Sequence, residues 1–152
     1  MKIVIAGAGE VGSHLAKMLS GEANEITVID MRQDRLDALS ATTDVITVFG
    51  NPSAINVLQE AGVSHADLFI AVNPSDSQDV NIVSAMLAKK LGSKKATARI
   101  DNEEYLSYEN KYIFTEMGID LMFYPEKIAA GEIIDLLKRT ATTDSMDFAR
   151  GK

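Results

Sequence analysis

The sequence predicts an α/β protein with a doubly wound, mostly parallel sheet of six strands and helices on both faces. Two observations carry this prediction. First, short apolar runs alternate with longer amphipathic stretches along most of the 152 residues. Such runs are typical of strands that are buried on both faces of a parallel sheet. Second, a glycine-rich turn follows the first run directly and opens a helical pattern, as expected of a strand–turn–helix unit.

Six apolar runs predict the strands. They comprise residues 3–6, 26–29, 45–49, 68–72, 96–100 and 121–123. Strands that alternate with helices are joined by right-handed crossovers, which place helices on both faces of the sheet. The pattern therefore predicts one doubly wound domain.

Amphipathic periodicity predicts the helices between these strands. Four apolar residues of the first helix share one face: Val11, Leu15, Met18 and Leu19. We expect Gly62 and Gly92 to end the third and fourth helices. A further helix is expected after Asn102, and Pro125, at an N1-like position, is expected to open a last helix that runs to about Arg139.

The last predicted helix is unusually apolar. Seven of the ten residues from Ile128 to Leu137 are apolar, which is more than one narrow stripe requires. The excess favours a second partner, either another subunit or a further domain. The alternative is a helix that lies deep in the core of a single domain. We assign residues 1–140 to the domain and residues 141–152 to a linker or the start of a missing C-terminal domain, because Met146–Phe148 resembles the beginning of another strand.

Composition excludes several classes of function. The formal net charge of −7 and the pI of about 4.8 disfavour nucleic acid as a partner. Cysteine is absent, so disulfides, thiolate nucleophiles and cysteine-ligated zinc are excluded. No run approaches the ~18 apolar residues of a membrane span, so we expect a cytoplasmic protein without direct membrane insertion.

The turn after the first strand has the pattern of a phosphate-binding loop. Residues 7–12 read Gly-Ala-Gly-Glu-Val-Gly, which matches G-x-G-x-x-G between a predicted strand and a predicted helix. Gly7 permits the tight turn, Gly9 lets a pyrophosphate approach the backbone, and Gly12 lets the helix pack close to the strand. The helix N-terminus adds free N–H groups and partial positive charge. The alternative is a structural turn that binds nothing.

Asp30 ends the second predicted strand, 23 residues after Gly7. An acidic residue at about this distance is expected to accept hydrogen bonds from ribose hydroxyls. It is also suited to cap the next helix, and the two roles are compatible. Arg32 is able to accept a 2′-phosphate or to stack on adenine, but Asp30 favours an unphosphorylated ribose. The pattern therefore favours NAD(H) or an adenine nucleotide over NADP.

Other polar residues follow the later strands, at the sheet edge where a ligand is expected. Asn51 and Asn73 lie in predicted turns, where they either serve the turn alone or also contact the adenine and the second ribose. Arg99 lies near the end of an otherwise small or apolar strand, where a guanidinium requires a partner. That partner is either a ligand phosphate or a carboxylate such as Asp101 or Glu126.

These motifs together resemble a known family. The ordered series comprises residues 5–12, Val28-Ile29-Asp30, Gly50-Asn51, Glu60-Ala61-Gly62, Ala66-Asp67, Ala71-Val72, Asn81, Ala98-Arg99-Ile100 and Tyr124-Pro125-Glu126. It is similar to the N-terminal, Rossmann-type domain of the TrkA potassium-uptake regulators, also called the RCK or KTN domain. The likeness covers about residues 1–140. It departs at Asn51, where the family commonly has aspartate.

The resemblance implies a ligand and a set of contacts. Domains of this family bind NAD(H) or ADP/ATP at the glycine turn. Ten positions carry over by order: Gly7, Gly9, Glu10 and Val11, with the adjoining Ala8, at the phosphates; Asp30 and Met31 at the ribose; and Asn51, Val72 and Asn73 at the adenine half. Arg99 would reach phosphates. Glu126 matches an acidic position that some relatives use for a cation between subunits.

The resemblance also implies partners. Such domains form homodimers that assemble into rings on the cytoplasmic face of a membrane-embedded potassium channel or transporter, where ligand exchange changes gating. The last helix would be the crossover helix that packs on the partner subunit. The protein is then a sensor and not an enzyme. The alternative is the cofactor-binding fragment of an NAD-dependent oxidoreductase, which would need a histidine, tyrosine or lysine beside the hydride path.

Overall fold

The computed structural model describes residues 1–143 and shows one six-stranded sheet in which all neighbouring strands are parallel. The strands are β1 (Lys2–Ala6), β2 (Glu25–Asp30), β3 (Ile46–Phe49), β4 (Leu68–Ala71), β5 (Ala96–Arg99) and β6 (Leu121–Phe123). Their order across the sheet is β3-β2-β1-β4-β5-β6. The predicted six-stranded, doubly wound α/β fold is confirmed.

Among residues 1–143, six α-helices and four short 3₁₀ turns connect or follow the strands. The helices are α1 (Glu10–Ser20), α2 (Gln33–Ser40), α3 (Ile55–Glu60), α4 (Gln78–Leu91), α5 (Lys111–Glu116) and α6 (Ala130–Thr142). The 3₁₀ turns are Val63–His65, Ser75–Ser77, Glu103–Leu106 and Pro125–Lys127. Within residues 1–143, no helix combines the length and the apolar character that crossing a membrane requires.

Two apolar cores cover the two faces of the sheet. One core joins Ile5 of β1 to residues of α1, α2 and α6, and the other joins Val4 of β1 to residues of α3 and α4. Because successive residues of a strand point to opposite faces, neighbouring Val4 and Ile5 serve different cores. This explains why the central strands are apolar throughout and do not alternate with polar residues.

The strand order reverses between β1 and β4, which lie side by side although two other strands separate them along the chain order. Ligands of doubly wound sheets bind outside the carboxyl ends of the strands at such a reversal. The glycine turn follows β1, and Val72 and Asn73 follow β4, so both segments lie at this position.

The last helix differs from the prediction. Pro125 opens a 3₁₀ turn that ends at Lys127, and Ile128 is extended (φ −135°, ψ 145°), so α6 begins only at Ala130. Proline fits the first position of either kind of helix, and its presence therefore did not distinguish them. The Glu132 side chain accepts a hydrogen bond from the Ala129 N–H (3.3 Å), which stabilises the true start of the helix.

The apolar residues of α6 belong to the core of this chain. Ile133, Ile134 and Leu137 are buried, and they pack in the same core as α1. Part of the apolar character of this helix therefore serves the core of its own chain, as in the single-domain alternative, and packing of α6 on a partner stays a prediction. The predicted strand start at Met146–Phe148 lies outside the described residues.

Two smaller predictions also need correction. The helix expected after Asn102 is a 3₁₀ turn over Glu103–Leu106, in which the Asn102 side chain accepts a hydrogen bond from the Glu104 N–H at 3.0 Å. The α-helix of this region, α5, begins later. In α1, Met18 was placed on the buried face but is 41% exposed, because that face is narrower than the pattern suggested.

Candidate nucleotide-binding site

The first and third glycines of the turn are required by the fold itself. Gly7 has a φ of +119°, and a Cβ there would lie 2.8 Å from the Asn73 nitrogen. A Cβ on Gly12 would lie only 1.8 Å from the Gly7 carbonyl oxygen. The turn and the first helix therefore pack directly on backbone, as predicted for close packing of helix on strand.

Gly9 is different, because the protein leaves room at this position. A Cβ on Gly9 would have the Pro74 Cγ at 3.6 Å and the Arg35 Nη1 at 3.9 Å as its nearest neighbours, both ordinary contacts. The backbone of Gly9 is in a region that any residue adopts (φ −75°, ψ −160°). The fold alone does not require glycine here, whereas close approach of a ligand to the backbone would.

The N-terminus of α1 presents unused hydrogen-bond donors. Gly7 donates its N–H to the Ile29 carbonyl (2.8 Å), and Ala8 donates to Asp30 Oδ2 (2.7 Å). Within residues 1–143, the N–H groups of Gly9, Glu10 and Val11 donate to no other group of the protein. They are the orphan donors of a helix N-terminus, where partial positive charge favours an anion.

Asp30 supports the turn from below. Its side chain is 5% exposed, and its two oxygens accept hydrogen bonds from the backbone N–H groups of Ala8 (2.7 Å) and Arg32 (2.8 Å). A carboxylate oxygen has two lone pairs, so each oxygen retains capacity for a second donor such as a ribose hydroxyl. Asp30 thus holds the turn in place, and its contact with a ribose stays a prediction.

A cleft of about 360 Å³ lies over the turn. Its lining comprises Gly9, Glu10, Val11, Val72, Pro74, Arg99, Pro125 and Glu126. Six residues that the sequence placed at the site are in this set: Gly9, Glu10, Val11, Val72, Arg99 and Glu126. The structure therefore brings together the end of β5 and segments that follow β1, β4 and β6.

Arg99 is the cation of the cleft. Its side chain is 9% exposed, and its Nη2 lies 3.2 Å from Glu126 Oε2. Its Nε, 3.9 Å from Asp101 Oδ1, is buried and finds no hydrogen-bond partner within the described residues. Arg99 thus has a carboxylate partner, Glu126, which is one of the two alternatives from the sequence analysis. The Nε–H group of its guanidinium remains without an acceptor in residues 1–143.

Asp101 lies beside this arginine in an unusual setting. Both of its carboxylate oxygens are buried and accept no hydrogen bond within the described part of the chain. The pKa of Asp101 is raised, mainly by burial of its carboxylate. The negative charges of Glu126 and Asp76 raise this pKa further, whereas the positive charge of Arg99 lowers it.

Asn81 organises the ends of β4 and β5, although only the family resemblance had singled it out. It is fully buried on α4, and its Oδ1 accepts hydrogen bonds from the backbone N–H and side-chain amide of Asn73 (2.8 and 2.9 Å). Its Nδ2 donates to the carbonyls of Asn73 and Arg99, both at 3.2 Å. The sequence did carry a signal, since Asn81 falls on the helix face of Ala85 and Ala88, where a polar residue requires partners.

The remaining predicted residues lie around the cleft without lining it. Gly7 and Ala8 are buried within the turn, and the Asn73 side chain is held by Asn81. Met31 is 60% exposed beyond Asp30. Asn51 is exposed, and its Oδ1 accepts hydrogen bonds from the N–H and hydroxyl groups of Ser53, both at 2.9 Å. Contacts of these residues with a ligand stay predictions.

The two arginines after β2 differ in how they are held. Arg32 is paired with Asp34 through Nε (3.2 Å) and Nη2 (2.7 Å), and these hydrogen bonds are the main reason why the pKa of Asp34 is lowered. Arg35 points its Nη1 towards Asp30 Oδ2 at 3.9 Å. Sequence reasoning considered Arg32 and missed Arg35, because a charged residue inside an exposed helix resembles an ordinary surface residue.

A metal site at Glu126 does not form within one chain. In the described residues, no group of three or more histidine, aspartate or glutamate side chains is arranged to hold a metal ion. Glu126 instead pairs with Arg99. Its role in a cation site between two subunits stays a prediction from the family resemblance.

The fold and the site define a class of protein: a Rossmann-type domain whose glycine turn, acidic residue and cleft are arranged as in nucleotide-binding members of that fold. Comparison with known proteins then gives the family. The model of the TrkA-N domain matches residues 3–125, and the chain belongs to this family.

Whole-chain relatives are potassium-uptake proteins by name. The Trk system potassium uptake protein TrkA homolog of Archaeoglobus fulgidus is 36% identical over 100% of this chain and 34% of its own length. The Trk system potassium uptake protein TrkA of Haemophilus influenzae is also 36% identical, over 100% of this chain and 33% of its own. The chain therefore spans about a third of the length of these relatives.

Solved structures share the fold. The TrkA-N domain of the inner membrane protein ybaL from Escherichia coli superposes with a TM-score of 0.69 at 23% identity, covering 90% of this chain and 96% of that domain. The GsuK channel bound to NAD gives a TM-score of 0.65 at 19% identity, covering 82% of this chain and 21% of the channel chain.

Proposed function

We propose that this domain binds NAD(H) or ADP/ATP at the glycine turn and acts as the ligand-sensing part of a regulatory subunit of a potassium uptake transporter. The cleft is the observation that carries the ligand assignment. It combines the unused N–H groups at the start of α1 with the buried guanidinium of Arg99. These two kinds of donor recur in phosphate-binding sites.

In this proposal each part of the site takes one part of the ligand. The phosphates rest on the N–H groups of Gly9, Glu10 and Val11, at the positive end of α1, with Arg99 opposite. Asp30 accepts hydrogen bonds from the ribose hydroxyls. Met31 lies beside the same ribose, and the adenine half keeps the neighbours that the resemblance implies: Asn51, Val72 and Asn73.

Related proteins support both the ligand and the biological role. The GsuK channel, whose RCK domain is similar in fold, has been solved with NAD and with ADP. The curated relatives bear the name of the Trk potassium uptake system. We propose on this basis a homodimer that assembles into a ring at the cytoplasmic face of a membrane-embedded transporter subunit.

Sensing accounts for the cleft better than catalysis does. Hydride transfer to or from a small substrate needs a positioned acid or base, commonly histidine, tyrosine or lysine. The residues that line the cleft in the described part of the chain include none of these three types. A structural likeness to an anaerobilin reductase, with a TM-score of 0.59 at 15% identity, extends to the fold alone.

The Arg99–Glu126 pair suggests how ligand binding changes the structure outside the site. Glu126 belongs to the 3₁₀ turn that precedes α6, and only Ile128 and Ala129 separate the two elements. A ligand phosphate that competes with Glu126 for Arg99 would release this turn and alter the packing of α6. A ligand with different affinity for the two arrangements then shifts their populations.

The test is calorimetric titration of the chain with NAD, NADH, ADP and ATP, with Asp30→Ala as the site variant and Asp37→Ala, on the exposed face of α2, as the matched control. We expect binding that Asp30→Ala weakens at least about tenfold, since it loses charge-assisted hydrogen bonds to the ribose. Asp37→Ala should leave the affinity unchanged.

Two outcomes would contradict the proposal. A wild-type chain that binds none of the four nucleotides has no nucleotide site. Oxidation of NADH by this chain with a small carbonyl compound, followed by its absorbance, would instead favour the oxidoreductase alternative.

A further inference from the structure

Two arginines approach the glycine turn from opposite sides. Arg99 lines the cleft from the end of β5. Arg35 approaches from α2, on the side of β2, where its Nη1 lies 3.9 Å from the position of a Cβ on Gly9. Pro74, which lines the cleft with Arg99, is the other neighbour of that position, at 3.6 Å. Gly9 therefore has Arg35 near one side and shares the cleft with Pro74 and Arg99.

The guanidinium of Arg35 is available to a ligand. Within residues 1–143 it donates no hydrogen bond, and its ion pair with Asp30 is long, at 3.9 Å. Arg32, three residues earlier, uses two nitrogens on Asp34. The side chain of Arg35 is 31% exposed, compared with 58% for Arg32, so it is already partly immobilised against the turn. Binding an anion would then cost it less conformational entropy.

The position of Arg35 selects one group of the ligand. Its Nη1 faces Asp30 Oδ2, the oxygen that accepts the Ala8 N–H, and Gly9 is the next residue with an unused N–H group. With the ribose hydroxyls at Asp30 and the phosphates at α1, the phosphate attached to the ribose lies between these two points. Arg99, on the far side of Gly9, faces the following phosphate.

We propose that Arg35 binds the first phosphate, the one on the 5′ carbon of the adenosine, whereas Arg99 binds the second phosphate of the chain. The inference rests on the proposed nucleotide function and deepens it by assigning one arginine to each phosphate of a diphosphate. A small rotation of the guanidinium away from Asp30 converts a long ion pair into charge-assisted hydrogen bonds to phosphate, which suit the planar arginine fork.

A ligand with one phosphate distinguishes the role of Arg35 from that of Arg99. AMP carries only the 5′-phosphate and should depend on Arg35 but not on Arg99. ADP and NAD carry both phosphates and should depend on both arginines. Adenosine carries none and should depend on neither.

The experiment is calorimetric titration of five forms of the chain with adenosine, AMP, ADP and NADP: wild type, Arg35→Ala, Arg35→Lys, Arg99→Ala and Arg32→Ala. We expect Arg35→Ala to weaken AMP and ADP about tenfold or more, and Arg35→Lys to recover part of the loss. Arg99→Ala should weaken ADP by a similar factor and AMP by less than about threefold. Arg32→Ala, which removes the same charge nearby from a side chain that is paired with Asp34, should change the AMP and ADP affinities by less than about threefold.

Several results would overturn the assignment. One is an Arg35→Ala variant that binds AMP and ADP like the wild type, and another is an Arg99→Ala variant that loses AMP as strongly as ADP. A loss by Arg35→Ala that is confined to NADP would show that the arginine contacts a 2′-phosphate. Thermal unfolding of the ligand-free variants checks that each is folded. If the wild type bound no nucleotide, the proposed function would fail as well, whereas failure confined to the Arg35 variants leaves that function standing.

Discussion

Charged groups are held differently at the two ends of the parallel strands. We call the side where the strands begin the amino edge and the side where they end the carboxyl edge. At the amino edge, Asp67 accepts a hydrogen bond from the Lys2 N–H (2.8 Å) and pairs with Lys94 (3.3 Å). Asp120, at the same edge, accepts the Ala96 N–H (2.8 Å). The side chains of both aspartates remain partly exposed, at 31% and 23%. Water and flexible lysines are therefore available to them.

At the carboxyl edge, Asp30, Asn81 and Arg99 are buried, and the carboxylate oxygens of Asp101 are buried although its side chain is 24% exposed. Asp30 and Asn81 are satisfied almost entirely by backbone and amide groups. Arg99 and Asp101 are not, since three of their buried polar atoms have no hydrogen-bond partner in the described chain.

The difference indicates that the two edges serve different purposes. Exposed, paired charges at the amino edge contribute modestly to stability and are easily replaced by water. Buried and incompletely satisfied polar groups cost stability, and such groups cluster where a protein binds a ligand or performs chemistry. The four predictions below test this contrast.

The largest effect is expected at the carboxyl edge from Gly12→Ala. The new Cβ would overlap the Gly7 carbonyl at 1.8 Å, so we expect the free energy of unfolding in urea to fall by about 3 kcal/mol or more. Gly9→Ala is the matched control, because its nearest contact is 3.6 Å. It should change stability by less than about 0.5 kcal/mol but weaken nucleotide binding. Equal destabilisation by both variants would contradict the separation of structural and ligand-facing glycines.

Asp30→Ala should have the next largest effect. It leaves the buried N–H of Ala8 and that of Arg32 without acceptors, which should cost about 2–3 kcal/mol of unfolding free energy. Asp120→Ala, at the amino edge, should cost only about 1 kcal/mol, because the aspartate side chain is 23% exposed and water is able to occupy its place. Urea unfolding of both variants measures the difference. Equal losses would remove the distinction between the edges.

Asp67→Asn tests the pH response of the amino edge. The hydrogen bond from the Lys2 N–H, assisted by Lys94, lowers the pKa of Asp67 below its ordinary value of 3.8. The stability that this carboxylate contributes is therefore present above that value and is lost as the pH falls through the folded pKa. We expect the variant to be about 1 kcal/mol less stable at pH 7 and the gap to narrow below about pH 4. A gap independent of pH would contradict this.

Asp101→Asn should show the smallest effect, with the opposite dependence on pH. Burial raises the pKa of Asp101, so the folded state binds its proton more tightly than the unfolded state does. Wild-type stability from this group is greatest below the ordinary pKa of 3.8 and falls as the pH rises through the folded pKa. Relative to wild type, the variant should therefore gain stability between pH 4 and 7, by less than about 1 kcal/mol. A variant that loses stability over this range would show that Asp101 is well paired.

Local patterns predicted most of the fold and half of the site. All six strands and the glycine turn were found because each depends on residues that are near in sequence, and Asp30 follows from its distance to Gly7. The 3₁₀ turn at Pro125 was missed because proline suits the start of either helix type. Arg35 and the full role of Asn81 were missed because their significance depends on distant neighbours: Asn81 bonds to Arg99, 18 residues away.

The sequence by itself determined the α/β class, the strands and the glycine turn, since apolar periodicity and glycine spacing act locally, and the resemblance of its ordered motifs indicated the family. Only the tertiary structure decided which groups meet. The reversal of strand order places Gly7 against Asn73, and the crossovers bring Arg99 within 3.2 Å of Glu126, 27 residues away. Such contacts depend on how the helices pack on the sheet. The sequence shows that an arginine is present, but not whether its guanidinium faces solvent, a carboxylate or a phosphate-binding turn.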